Sequence, residues 1–279
     1  MSDGLGEFLR SRRGRLTPAE AGVPAGPGPR RVPGLRREEV AHLAGVSVDY
    51  YVRLERGRNG NVSEAVLDAL ARALRLTETE REHLFAVARP TRSRRLPPQR
   101  VRPALVRLMD GLADLPALVL GRNLDVLASN ALARAFYTDF AALPHRDRNM
   151  ARFTFLDEAA RSLYVDWPAA ARGVVATLHH YAGRNPRDPR LAELIGDLSV
   201  RDEDFRHWWA EHDVYRRTHG SKRYHHPVVG ELTLDYEALT PTGDPDQVLG
   251  LHTAEPGSPS EEALRLLASW TGAAAVVPR

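Results

Sequence analysis

The stretch of sequence that decides the fold is REEVAHLAGVSVDYYVRLERG, Arg37–Gly57. Two helices that cross at a sharp turn need apolar residues where they share a core. Five positions of this stretch have that spacing, and they hold Val40, Ala44, Val46, Tyr51 and Leu54. Ala41 is small where the second helix crosses, and Gly45 can take the left-handed backbone angles of the turn. Ser47 stands where the second helix needs an N-cap. All eight positions fit, so the pattern predicts a helix-turn-helix; the alternative is an ordinary αα-hairpin in a helical domain.

The second helix of this pattern, about residues 48–56, is expected to enter the major groove of DNA with its first residues facing base edges. Arg53 could pair with guanine, Asp49 with cytosine, and Val48 with a thymine methyl group. The other candidates for the interface contact phosphate or position the helix, and they are Arg37, Ser47, Arg56 and Arg58. The alternative for each arginine is a solvated surface charge. Tyr50 fits either a DNA contact or a partly buried packing residue.

Charge is distributed unevenly along the 279 residues. Residues 1–102 hold 20 Arg and 12 acidic residues, a net charge of +8, whereas residues 103–279 have a net charge of −5. A basic half joined to an acidic half favours a nucleic-acid partner for the first half only. The alternative is a surplus of solvated arginines. Together with the motif above, the charge predicts that the first half binds double-stranded DNA.

The best candidate for a domain boundary is RPTRSRRLPPQRVRP, Arg89–Pro103, which is rich in proline and arginine. It predicts a helix-turn-helix domain over residues 1–89, a linker over 90–103 and a second domain over 104–279. In the first domain we expect a short opening helix near Leu5 and no regular element over Pro18–Gly34, which holds five prolines and four glycines. Two further helices are expected, Ser63–Leu74 with Ser63 as cap and Thr77–Ala88 with a capping box of Thr77 and Glu80.

The second domain combines short β-like runs with helical patterns. The predicted strands are Ala117–Leu120, Leu124–Ser129, Lys222–His226, Glu231–Tyr236 and Gln247–Thr253. Helical patterns fill residues 131–140 and 157–212, and a last helix is expected over Ser260–Trp270 with Ser260 as its N-cap. The pattern predicts an α+β domain, an antiparallel sheet with flanking helices.

A family resemblance covers nearly the whole chain. Leu5–Ala88 resembles the Cro/C1-type (XRE-family) helix-turn-helix domains, and PGLRREEVAHLAGVSVDYYVRLERG resembles the MmyB-like regulators. The downstream strings agree, and they are NLDVLASN, FLDEAARSLYVDW, HDVYRRTHGSKRYHHPVVGELTLDYEAL and HTAEPGSPS. The resemblance implies a transcription regulator in which an all-α Cro/C1-type domain is followed by a PAS-like ligand-binding domain.

A small, partly apolar ligand is expected in the second domain, since a curved sheet covered by helices can enclose a pocket. The candidate ligand-binding residues are Arg161, Asp166, Trp167, Trp209, Arg223, His226 and Tyr236. A fatty-acid-like or other acidic apolar molecule could pair with Arg223 or His226 between aromatic walls. The alternative is that Arg161, Asp166 and Arg223 form a structural ion-pair network and that the tryptophans belong to the core.

Several classes of function are not expected. Cysteine is absent, which excludes disulfides, thiol catalysis and Cys-type zinc sites. The adjacent pairs His179-His180 and His225-His226 point to different sides of their elements, so we expect no metal site. We find no nucleophile elbow, P-loop or dinucleotide fingerprint, and we expect neither an enzyme nor a cofactor.

The remaining expectations concern partners and location. No apolar run reaches the length of a membrane span and residues 1–15 lack the apolar core of a secretory signal, so we expect a cytoplasmic protein without a membrane partner. A homodimer is expected, because helix-turn-helix proteins commonly bind paired half-sites. The rival interpretation makes the second half a protein-interaction or dimerisation module without a ligand, with DEDFRHWWAEHD, Asp202–Asp213, as its surface.

Overall fold

The computed structural model describes residues 4–24, 33–57, 62–88, 98–186, 188–211 and 219–274. Two compact units are present. The first consists of Met1–Arg94, His179–Ala192 and His207–Arg216, and the second of Arg95–Leu178, Glu193–Arg206 and Arg217–Arg279. The sequence did not predict that two later segments would belong to the first unit.

The helix-turn-helix unit is built from helices that share one apolar core. They are α1 (Gly4–Arg15), α2 (Pro18–Ala21), α3 (Arg37–Leu43), α4 (Val48–Glu55), α5 (Glu64–Ala73) and α6 (Glu78–Ala88). The expectation of no regular element after Pro18 was wrong for one turn. Helix α2 forms there because Thr17 and Glu20 make a capping box and proline is tolerated in a first helical turn.

The predicted crossing of α3 and α4 is confirmed. Gly45 has a φ of 66°, in the left-handed region, and the hydroxyl of Ser47 accepts a hydrogen bond of 3.2 Å from the backbone N–H of Tyr50. The predicted core positions are buried except Val46, which is half-buried. The caps predicted at Ser63 and at Thr77 with Glu80 are also present. Local sequence therefore determines this part of the fold.

The second unit contains a five-stranded antiparallel sheet. Its strands are β1 (Ala117–Leu120), β2 (Val126–Ser129), β3 (His219–His226), β4 (Gly230–Leu239) and β5 (Val248–Thr253), in the order β2-β1-β5-β4-β3. All five predicted strands are present; β1 has the predicted ends, and the other four have shifted ends. Strand β2 begins two residues late because Asn123 and Leu124 have positive φ values and turn the chain.

The helices of this part of the chain precede, interrupt and follow the strands in the sequence. They are α7 (Pro103–Gly111), α8 (Ala131–Phe136), α9 (Met150–Leu156), α10 (Glu158–Leu163), α11 (Trp167–Arg184), α12 (Pro189–Arg201), α13 (Glu203–Glu211) and α14 (Pro259–Ala274). Helices α11, α12 and α13 each have residues in both units. Within the described ranges, none of these helices is long and apolar enough to cross a membrane.

The predicted N-cap of the last helix was wrong by two residues. Helix α14 begins at Pro259, and the Ser258 hydroxyl accepts a hydrogen bond of 3.2 Å from the backbone N–H of Glu261. The Ser260 hydroxyl instead accepts one of 2.9 Å from the N–H of Thr233 in β4. Ser260, the second residue of α14, thus joins the helix to the sheet.

Candidate functional site

The first candidate site is the exposed side of helix α4. The residues predicted to face base edges are solvent-exposed there together with the N-cap, and they are Ser47, Val48, Asp49 and Arg53. Val48 is 40% exposed although it is apolar. Arg56 is exposed at the end of the helix, and Arg58 lies outside the described residues. An eight-residue helix with a capped start and a polar outer side has the shape that a major groove admits.

Arg37 lies beside this helix and is held by a buried carboxylate. Glu55 is 1% exposed, and its two oxygens accept bonds of 2.6 Å from Arg13 Nε and 2.7 Å from Arg37 Nε. Burial opposes ionisation of Glu55, but the hydrogen bonds from the two guanidinium groups outweigh it and lower the pKa of the carboxyl. Because Arg37 uses only its Nε here and is about half exposed, the rest of its guanidinium faces solvent.

This ion-pair group joins three helices. Arg13 belongs to α1, Arg37 opens α3 and Glu55 ends α4. Arg10 adds a bond of 3.2 Å to the backbone carbonyl of Glu55. The carboxylate therefore fixes the angle between the two helices of the motif, and sequence reasoning missed it, since a Glu in LERG also fits an exposed helix end.

The second candidate site is a group of polar aromatic residues on the inner face of the sheet. We call it the tyrosine cluster, and it consists of Tyr137, Tyr164, Tyr224, Tyr236, His252 and Lys222. The Tyr137 hydroxyl and His252 Nε2 are 2.8 Å apart. The ammonium group of Lys222 lies 4.5 Å from the centre of the Tyr236 ring and 6.0 Å from that of Tyr164. One cation thus lies among phenol groups and a single imidazole.

Strand pairing explains how these residues meet. Tyr236 lies opposite His252 on one side and opposite Gly220 on the other. A Cβ at Gly220 would come within 3.3 Å of the Tyr236 ring, so the ring can occupy this position because residue 220 has no side chain. The Tyr236 ring can therefore lie over β3 and reach Lys222.

Burial keeps the cluster uncharged apart from the lysine. Burial raises the pKa values of the Tyr137, Tyr164 and Tyr224 hydroxyls above their ordinary value. Burial, and then the charge of Lys222, lower the pKa of His252 to about 3. At neutral pH the cluster therefore offers neutral phenols and a neutral imidazole around one ammonium group.

Two buried polar atoms of the cluster lack a hydrogen bond of good geometry in the described part of the chain, and they are the Tyr224 hydroxyl and Nδ1 of His252. The hydroxyl of Tyr137 and the backbone of Pro116 are near enough to affect the pKa values of Tyr224 and His252, but neither contact meets hydrogen-bond geometry. An unpaired buried polar group costs about 1–3 kcal/mol, which is why such groups need an explanation. A bound molecule or water that bonds to these atoms would remove that cost.

Two of the seven predicted ligand residues lie in or beside the cluster. Tyr236 belongs to it, and His226 is buried next to it, stacked on Phe136 with ring centres 5.7 Å apart and its Nε2 3.1 Å from the carbonyl of Ala135. His226 therefore has protein partners already.

The other five are not brought together with the cluster. Arg161 lies 3.8 Å above the Trp167 ring and forms an ion pair of 2.7 Å with Asp202, while the Trp167 indole N–H donates to the carbonyl of Thr154. Trp167 is buried, as the structural alternative expects, but the acidic partner of Arg161 is Asp202 and not Asp166. Asp166 caps the start of α11 through the N–H of Ala169.

Arg223 and Trp209 lie elsewhere again. Arg223 is exposed on the outer face of β3, because neighbouring residues of a strand point to opposite faces and Tyr224 is buried. Trp209 belongs to the first unit, where its ring stacks on His179 at 3.7 Å. In the helix that the interaction-module interpretation uses, Trp208 is 7% exposed and Trp209 half-buried.

Sequence reasoning missed most of the tyrosine cluster. An alternation signal was present in β3, where Lys222, Tyr224 and His226 share one face. Tyr137 and Tyr164 follow the ends of α8 and α10, and no periodic pattern marks them. Among the described residues, no group of His, Asp and Glu is arranged to hold a metal ion.

Comparison with protein families gives two matches. A family described as MmyB-like transcription regulator ligand binding domain matches residues 101–267, and one described as helix-turn-helix domain matches residues 4–84. The first covers more than half of the chain. A search of curated proteins found no match. The two matched ranges correspond to the two candidate sites.

Proposed function

The chain belongs to the family of MmyB-like transcription regulators, and we propose that it binds specific DNA sequences through α4 and a small, partly apolar ligand through the tyrosine cluster. The helix-turn-helix and ligand-binding domains make it a DNA-binding regulator of transcription. The Cro/C1 type, the PAS-like fold, the homodimer and the class of ligand are parts of the proposal.

One observation carries the DNA-binding half of the proposal, the exposed outer side of α4. Asp49 and Arg53 point to solvent, and the helix start carries a capped, exposed N-terminus. In proteins with this motif such residues read base edges. Arginines at positions like that of Arg37 contact phosphate and set the register. In a homodimer the two α4 helices would reach half-sites about 34 Å apart.

Selection from random DNA tests this half. The full chain should enrich a defined sequence, and a homodimer should enrich a two-fold symmetric one. R53A is the variant to compare with wild type, because Arg53 is exposed and lies outside the core, so that its replacement should leave the fold intact. Enrichment of no sequence by the wild-type chain would contradict sequence-specific binding.

The ligand half of the proposal depends on the chemistry of the tyrosine cluster. Hydroxyl groups are hydrogen-bond donors, and the ammonium of Lys222 supplies a positive charge. Phenol and imidazole rings form apolar walls around them. A molecule with a carboxylic or similar acid group on an apolar body could accept hydrogen bonds from the hydroxyls, pair with the ammonium group and pack against the rings. Its acid group could bond to the Tyr224 hydroxyl. The antiparallel sheet with its helical insertion between β2 and β3 supports the PAS-like description.

Thermal unfolding with two matched probes tests the ligand half. Decanoic acid should raise the midpoint more than decanol, because only the acid can pair with Lys222. A ligand at 100 times its Kd adds about 2.7 kcal/mol of stability, which a melting curve resolves. The variant K222M should lose the preference for the acid, and R223M, altered on the opposite face of the same strand, should keep it. Equal responses of K222M and R223M would remove Lys222 from the site.

Regulation would require the ligand to bind one arrangement of the domains more tightly than another. We propose a non-enzymatic regulator of this kind. Its DNA affinity should differ in the presence of saturating decanoic acid, measured on the selected site. The interaction-module alternative has less support, since neither tryptophan of its helix is fully exposed.

A further inference from the structure

We propose that Tyr50 is a positioning residue that holds Arg53 in place for reading a base, an inference that depends on the proposed binding of DNA by α4. Tyr50 and Arg53 are three residues apart on the outer part of α4 and therefore neighbours on its surface. The guanidinium carbon of Arg53 lies 5.6 Å from the centre of the Tyr50 ring. This distance is within the range of cation–π contacts.

The burial of the two residues differs in the way that such a role requires. Tyr50 is half-buried and packs against the core of the first unit, so the core limits the movement of its ring. Its backbone N–H is fixed by the cap at Ser47. Arg53 is exposed. A restrained ring thus lies beside a long side chain that would otherwise be mobile.

Arg53 also differs from Arg13 and Arg37 in its partners. Arg13 and Arg37 donate to Glu55. Among the described residues, Arg53 forms no ion pair, although Asp49 is four positions earlier on the same helix and could reach it. A carboxylate would occupy the N–H donors that guanine needs. Contact with an aromatic ring restrains the guanidinium without using those donors, so the ring suits a base-reading arginine better than an acid does.

The expected effect follows from the freedom that Arg53 would regain without the ring. Fixing one flexible side chain at an interface lowers affinity by about three- to tenfold when the side chain was free beforehand. Loss of the ring should therefore weaken binding to the selected site by about that factor. It should leave binding to a scrambled duplex unchanged, because phosphate contacts carry that affinity.

A double-mutant cycle tests the proposal in the full chain. Affinities of wild type, Y50L, R53A and Y50L/R53A are measured by fluorescence anisotropy on the selected duplex, on its single-base variants and on a scrambled duplex. Y50L should relax preference at the same base pair as R53A, and Y50L should have no further effect when Arg53 is already absent. Y50F keeps the ring and should bind within about twofold of wild type, well below the expected loss for Y50L.

The outcomes separate positioning from the other roles of a tyrosine. Losses that multiply in Y50L/R53A would show a direct DNA contact and overturn the proposal. So would Y50L binding like wild type, an R53A variant with unchanged base preference, or equal losses on selected and scrambled DNA. If Y50L lowers the melting temperature, Y50M, which fills a similar space without a ring, takes its place in the cycle. A wild-type chain that selects no sequence would overturn the proposed function as well.

Discussion

Replacing Glu55 by Gln should destabilise the helix-turn-helix unit more than the removal of a surface charge does. The carboxylate is buried and receives bonds of 2.6 and 2.7 Å from two guanidinium groups. Breaking a buried ion pair by removing one partner costs about 3–5 kcal/mol, because a charge stays uncompensated. Arg13 is largely buried but Arg37 is about half exposed, so water can solvate one of them. We therefore expect the lower end, about 3 kcal/mol.

Hydrogen exchange measured by mass spectrometry can locate this loss in α3 and α4. Amides that exchange through opening of the unit should do so about 100-fold faster in E55Q at neutral pH, since 1.4 kcal/mol corresponds to a factor of ten. The control is E78Q, which removes a 3.2 Å pair with Arg81 at a solvent-exposed position and should change exchange far less than E55Q does, because solvent screens exposed pairs. Equal exchange in the two variants would refute the argument that burial makes the Glu55 pairs strong.

The stability difference between wild type and E55Q should depend on pH. The folded-state pKa of Glu55 is lowered, so its stabilisation is complete above the unfolded pKa of about 4.3 and is lost as pH falls through the folded value. The difference between wild type and E55Q in urea unfolding should therefore be constant from about pH 7 to 5 and shrink below about pH 4. A difference that grew on acidification would contradict the assigned charge state.

Three further changes test other parts of the structure. R37A should weaken binding to all duplexes alike and reduce the slope of log affinity against log salt by about one, and an unchanged slope would remove Arg37 from the phosphate contacts. G45A should lower unit stability by about 1–2 kcal/mol, because φ is 66° there and no side chain limits the space, with G14A as a control at a position without positive φ. Y224F should leave the ligand-free protein equally stable or more stable in urea, since it removes a buried hydroxyl that has no hydrogen bond of good geometry, yet reduce the thermal shift with decanoic acid. Destabilisation of ligand-free Y224F would show that the hydroxyl has a partner.

The helix-turn-helix could be predicted closely because its determinants are local. The turn depends on the backbone freedom of Gly45, the start of α4 on the Ser47 hydroxyl, and the packing on apolar residues within one stretch. What could not be predicted there was long-range. Arg13 meets Glu55 from 42 residues away, and no periodicity in either helix marks that pair.

The ligand site was less predictable, because the charged and aromatic residues of a short sequence segment do not show which face of a strand or helix each residue occupies. Arg223 and Tyr224 are neighbours in the sequence, yet one is exposed and the other buried. Arg161 and Trp167 were grouped as ligand residues because both lie near Asp166. The structure uses them for a cation–π contact and an ion pair with Asp202.

The order of the strands decides which residues of the second unit meet. Strand β5 is last in the chain but lies between β1 and β4, so His252 is placed opposite Tyr236 rather than at a sheet edge. Its imidazole then meets the hydroxyl of Tyr137, which is 115 residues away in sequence. Alternation along β5 predicts the face on which His252 lies, whereas its neighbours depend on a strand order that only long-range pairing fixes. Residues of the tyrosine cluster are therefore individually ordinary in the sequence, and they acquire a common chemistry only when the sheet is assembled.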